Sequence, residues 1–65
     1  MTIDQFGRLM DYLMKNHLEL YTRYTNNFAL VDDTLSVFQP AKVPDETHKE
    51  LLEIIKQWKK ENNAD

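Results

Sequence analysis

Cysteine is absent from this 65-residue chain, glycine occurs once and proline twice. The first absence excludes a disulfide framework, and with it thiolate metal sites and thiol nucleophiles. One glycine, Gly7, set inside a helical pattern, leaves no glycine-rich loop to cradle a phosphate. No apolar run approaches the roughly 18–20 residues of a membrane span. The N-terminus also lacks the basic-then-apolar pattern of a signal peptide. The expectation is a soluble, cytoplasmic protein that does not engage membranes.

Positive charge is also scarce. Eight Lys and Arg face eleven Asp and Glu, for a net charge of −3 that works against general affinity for nucleic acid. The imbalance is local: Asp32, Asp33, Asp45, Glu46, Glu50 and Glu53 oppose only Lys42 and Lys49. Residues 1–31 are balanced, with Asp4, Asp11 and Glu19 against Arg8, Lys15 and Arg23.

Apolar residues are plentiful, at 42% with 11% aromatics, enough for a core and too many for disorder. A chain this short forms one domain, residues 1–65, and buries only about 60% of its unfolded surface. Lacking disulfide or metal staples, it must rely on tight packing or on association with another chain.

Thr2-Ile3-Asp4-Gln5 has the form of a capping box. Ile3, Phe6, Met10, Leu13 and Met14 then recur at helical spacing. Asp4–Arg8 and Asp11–Lys15 are acid-to-base pairs four residues apart, each worth about 0.2–0.5 kcal/mol. Asn16 suits a helix end, so the first helix is predicted over 2–16.

Beyond Leu18 the vocabulary turns to β-branched and aromatic residues, Tyr21-Thr22-Arg23-Tyr24-Thr25. Asp32-Asp33 is predicted to close a two-residue hairpin that opposes Val31 to Thr34, Leu30 to Leu35, Ala29 to Ser36 and Phe28 to Val37. This register gathers Phe28, Leu30, Leu35 and Val37 on one face, and a one-residue slip would scatter them. Strands are therefore expected over about 19–38. Tyr21, Tyr24, Phe28, Val31, Leu35 and Phe38 also fit helical spacing, so an all-α hairpin or three-helix bundle is the alternative. Pro40 and Pro44 bound a connector, and a final helix is expected over 44–61.

The predicted architecture is α+β, an α-β-β-β-α domain with a three-stranded antiparallel meander packed by two helices. Its expected core is Ile3, Phe6, Met10, Leu13, Met14, Phe28, Leu30, Leu35, Val37, Leu51, Ile55 and Trp58. Double-stranded-RNA-binding domains share this element order and grip phosphates with lysines where their last helix begins. Here that position reads Pro44-Asp45-Glu46-Thr47, which repels phosphates, and no family is assigned on the residues.

Candidate chemistry is thin. His17 and His48 show no spacing that assembles a metal site. Ser36, the only serine, has no adjacent base. The neighbouring acids Asp32 and Asp33 read as turn formers before they read as an acid–base pair. No enzyme activity, cofactor or metal is expected. The leading expectation is a small interaction or regulatory protein that binds a protein partner or self-associates as a homodimer. Its aromatic and acidic surface would be Leu9, Tyr12, Tyr21, Tyr24, Asp32 and Asp33. The alternative is a nucleic-acid-binding regulator using Arg23, Lys56, Lys59 and Lys60, although those lysines equally complement the negative end of a helix dipole.

Overall fold

Thr2 and Gln5 start the first helix as their spacing requires. In the computed structural model, which describes residues 1–64, the Gln5 amide donates to Thr2 Oγ1 at 3.1 Å and the Thr2 amide donates to Gln5 Oε1 at 2.9 Å. The reciprocal pair satisfies two amides that a helix start would leave unbonded. Helix α1 spans Ile3–Asn16. Arg8 reaches Asp4 at 3.2 Å and Lys15 reaches Asp11 at 3.1 Å, both on the solvent side.

His17, at φ −140° and ψ 54°, breaks the helix for one residue. A second helix, α2, then occupies Leu18–Arg23, where sequence reasoning expects the first strand of a meander. The β preference of Tyr21, Thr22 and Tyr24 is overridden because helical spacing turns Leu20, Tyr21 and Tyr24 toward the core. Thr25 acts here as a terminator, its hydroxyl donating to the carbonyls of Tyr21 and Thr22, both at 3.1 Å.

Strands β1, Phe28–Val31, and β2, Thr34–Val37, follow as an antiparallel hairpin. Its register pairs Phe28 with Val37, Ala29 with Ser36, Leu30 with Leu35 and Val31 with Thr34, as the pattern predicts. The sheet among the described residues has these two strands and not three. Asp32 and Asp33 take φ of 50° and 62°, the left-handed pair that a type I′ turn demands. Aspartate tolerates this region because its short side chain can bond the local backbone. Asp33→Gly is therefore expected to stabilise the hairpin by about 0.5–1 kcal/mol, and Asp33→Val to lower stability by about 1–2 kcal/mol. Thermal melts of the two variants check the order.

Pro44 precedes helix α3, Asp45–Glu61, with Asp45 and Glu46 in its first turn and Lys59 and Lys60 in its last. Both ends thus complement the helix dipole. The core joins Met1, Leu9, Leu13, Tyr24, Val43, Leu51, Ile55 and Trp58. Phe28, Leu30, Leu35 and Val37 pack against it from the hairpin, half-buried. Three helices and one hairpin make an α+β fold among the described residues, none of whose helices is long and apolar enough to cross a membrane.

Two expected core residues lie outside it. Ile3 is 79% exposed and Met14 43% exposed, whereas Leu9 is fully buried. The apolar arc of α1 is wider than its buried part, and the molecule turns the arc centred on Leu9 and Leu13 inward.

Candidate interaction surface

Helix α1 advances about 100° per residue, so its side chains divide into rows. Phe6, Leu9 and Leu13 form the row that meets the core, and Met10 beside it packs against the core as well. Roughly a quarter-turn away lies a second apolar row of Ile3, Gly7, Met10 and Met14. Ile3, Gly7 and Met14 are exposed and Met10 is half-buried. A charged row follows, Asp4, Arg8, Asp11 and Lys15, joined by its two ion pairs and summing to no net charge.

Gly7 stands in the middle of the second row. Its φ is not positive, and a Cβ added there would meet nothing within 4 Å. Neither backbone strain nor internal packing requires glycine, although a helix-interior glycine costs about 1 kcal/mol against alanine. The remaining exposed large apolar residues, Leu18, Val31, Phe38 and Leu52, are distributed over α2, β1, the residue after β2, and α3. Scattered exposure of this kind is ordinary. On α1, by contrast, two exposed apolar residues, Ile3 and Met14, share one face of a single helix.

The residues expected to form an aromatic and acidic surface are not gathered into one. Leu9 and Tyr24 are fully buried members of the core and present nothing to a partner. Tyr12 and Tyr21 are half-buried against that core, with the Tyr12 ring 5.6 Å from that of His17. Asp32 and Asp33 are exposed in the hairpin turn, where the Asp33 carbonyl accepts a hydrogen bond from the Met1 amino group at 2.7 Å.

The cationic set is divided as well. Arg23 borders a depression shared with Glu19, Thr47 and Glu50. Lys56 and Lys59 border another, between β2 and α3, with Leu35, Val37 and Leu52. Lys60 is exposed near the end of α3. Two glutamates beside Arg23 weaken its attraction for phosphate, so the four cations do not make one basic strip.

The most organised polar contact in the molecule escaped sequence reasoning. The Tyr24 hydroxyl lies 2.9 Å from His48 Nδ1, and the two rings stack at 5.8 Å with an interplanar angle of 16°. The hydroxyl donates when the imidazole carries its proton on Nε2. Burial raises the Tyr24 phenol above its ordinary pKa of 10.0, because the phenolate would be deprived of water. The pair is part-buried, with His48 at the edge of the depression between β2 and α3, and links α3 to the α2–β1 junction. Among the described residues, no three His, Asp or Glu side chains converge as metal ligands.

No protein-family model, curated protein or solved structure matches the chain. The functional reading therefore rests on the surface itself.

Proposed function

We propose that this chain is a non-enzymatic interaction module that binds a protein partner or its own copy through the second apolar row of α1. The observation that carries the reading is the exposure of Ile3 and Met14 on one face of α1, with exposed Gly7 and half-buried Met10 between them. Large apolar side chains exposed on one helix face favour protein contact. Methionine suits such a contact because its flexible, polarisable side chain adapts to the opposing surface. A small fold with no cysteine and a modest core gains stability from that association.

Site-specific photo-cross-linking tests the module reading. A photoreactive phenylalanine analogue at position 14 is expected to yield a discrete protein adduct in cells, and the same group at exposed Glu53 on α3 is expected to yield none. Equal cross-linking at both positions, or none at position 14, would overturn it.

A further inference from the structure

We infer that the groove between β2 and α3 is a strand-addition site. Its occupant is an extended acidic segment of another protein, which pairs with the free edge of β2 and sets its carboxylates on Lys56 and Lys59. This surface is separate from the α1 face, and the inference does not rest on the module reading above.

Three features carry it. The first is the phase of the hairpin. The Phe38 amide donates to the Asn27 carbonyl at 2.8 Å, so Asn27 and Phe38 are a hydrogen-bonded pair. Bonded and non-bonded pairs alternate along an antiparallel ladder. In the register found, Ala29 with Ser36 and Val31 with Thr34 are then bonded, while Leu30 with Leu35 and Phe28 with Val37 are not. The amides and carbonyls of Leu35 and Val37 therefore point away from β1. No third strand lies against them among the described residues, and no turn or loop backbone there bonds them. β2 reads Thr34-Leu35-Ser36-Val37 in unbroken register, without the lysine, proline or bulge that closes a sheet edge to pairing.

The second feature is the groove beside that edge. Leu35 and Val37 form one wall, and Leu52, Ile55, Lys56 and Lys59 of α3 form the other. None of the β1 residues lines it, which places the groove on the outer side of β2. Its volume of about 230 Å³ falls below the roughly 300–1,000 Å³ that encloses a small molecule. A shallow apolar trough along a bare strand suits an extended backbone instead. Main-chain hydrogen bonds then supply affinity, and alternate side chains fill the trough.

The third feature is charge. No acid among the described residues lines the groove, although the chain as a whole carries −3. Lys56 is exposed and Lys59 half-buried. The ion pairs among the described residues belong to Arg8 and Lys15, so neither groove lysine has a carboxylate partner there. Three residues apart, the two lysines lie on one side of α3, and both face an occupant of the groove. A cationic rim on an otherwise acidic chain selects a segment with carboxylates beside its apolar residues. A second copy is the poorer occupant, because β2 has no acid of its own to set against these lysines. Position 53 lies about a third of a turn around α3 from the middle of the groove row, so cross-linking there does not report on this site.

The test is fluorescence titration of the full chain with a labelled peptide of alternating valine and threonine, flanked at both ends by glutamates. A dissociation constant of about 10–100 μM is expected. Flanking lysines in place of the glutamates are expected to weaken binding at least about tenfold. A peptide methylated on its backbone nitrogens can no longer donate to the β2 carbonyls, and a loss of at least about tenfold is expected. Lys56→Glu with Lys59→Glu is expected to reverse the preference between the acidic and basic peptides, with circular dichroism confirming the fold. Should that variant unfold, the methylated peptide still tests the site on the unaltered chain. Amide hydrogen exchange followed by NMR is expected to slow at Leu35 and Val37 on binding, and not at Phe28 and Leu30.

No binding of the acidic peptide at millimolar concentration overturns the site. Equal binding of the acidic and basic peptides overturns the role of Lys56 and Lys59. Undiminished binding of the methylated peptide overturns strand addition. Slowed exchange at Phe28 and Leu30 instead moves the occupant to β1 and overturns the groove. Slowed exchange at Leu35 and Val37 in the concentrated chain alone, with a doubled mass, makes the occupant a second copy and overturns the foreign segment.

Discussion

Tyr24→Ala is expected to remove a large share of the chain's folding stability. The ring is fully buried and packs beside Phe28 at 5.9 Å and His48 at 5.8 Å. Truncating a buried aromatic costs about 3–5 kcal/mol. A domain of this length has roughly 3–10 kcal/mol in total, so the loss removes about 30% of its stability or more. Urea unfolding followed by tryptophan fluorescence measures it, since Trp58 belongs to the same core. Tyr24→Phe separates the ring from the hydroxyl. It keeps the packing and is expected to cost about 0.5–1.5 kcal/mol, the worth of one neutral hydrogen bond. A loss for Tyr24→Ala no larger than that for Tyr24→Phe would show that the ring does not anchor the core.

The same residue sets an alkaline limit. Its phenol has a raised pKa in the folded chain, so above about pH 10 the unfolded chain loses that proton first. Stability is therefore complete below about pH 10 and falls as pH rises through and beyond it. Unfolding midpoints between pH 8 and 11 are expected to fall more steeply for wild type than for Tyr24→Phe. Parallel curves would contradict the buried phenol.

Tyr24 also shows what a sequence conceals. Features fixed by neighbours along the chain were legible. The Thr2–Gln5 capping box, the Asp32-Asp33 turn and the full pairing register of residues 28–37 all depend on contacts within a few residues. The helix at Leu18–Arg23 does not. Tyr21, Thr22 and Tyr24 favour strand locally, and what turns them into a helix is burial against α3, whose His48 lies twenty-four residues away. No local pattern states that Tyr24 and His48 meet. The third strand was expected for this reason, and Tyr24 was assigned to the surface when it belongs to the interior. The expected aromatic and acidic surface was not legible, because Leu9 and Tyr24 are drawn into the core. Which apolar residues of α1 stay outside depended on which part of a wide arc the fold turned inward.

Leu9→Ala settles that choice of arc. Six apolar residues of α1, Ile3, Phe6, Leu9, Met10, Leu13 and Met14, span nearly half the helix circumference, and periodicity alone permits either half of the arc to face in. If the core-facing row is Phe6, Leu9 and Leu13, Leu9→Ala removes a fully buried side chain and costs about 2–5 kcal/mol. Met14→Ala removes a side chain that is 43% exposed and changes monomer stability by no more than about 0.5 kcal/mol, helped by the high helix propensity of alanine. Measured on dilute protein, where association is absent, the two substitutions are therefore expected to differ by roughly 2 kcal/mol or more. The order is expected to reverse for cross-linking to a partner: Met14→Ala weakens the proposed contact without weakening the fold, whereas Leu9→Ala acts on it only by depleting the folded chain. A larger stability loss for Met14→Ala than for Leu9→Ala would mean that α1 is rotated by about a quarter-turn. The apolar row would then be core, and the surface proposed for a partner would not exist.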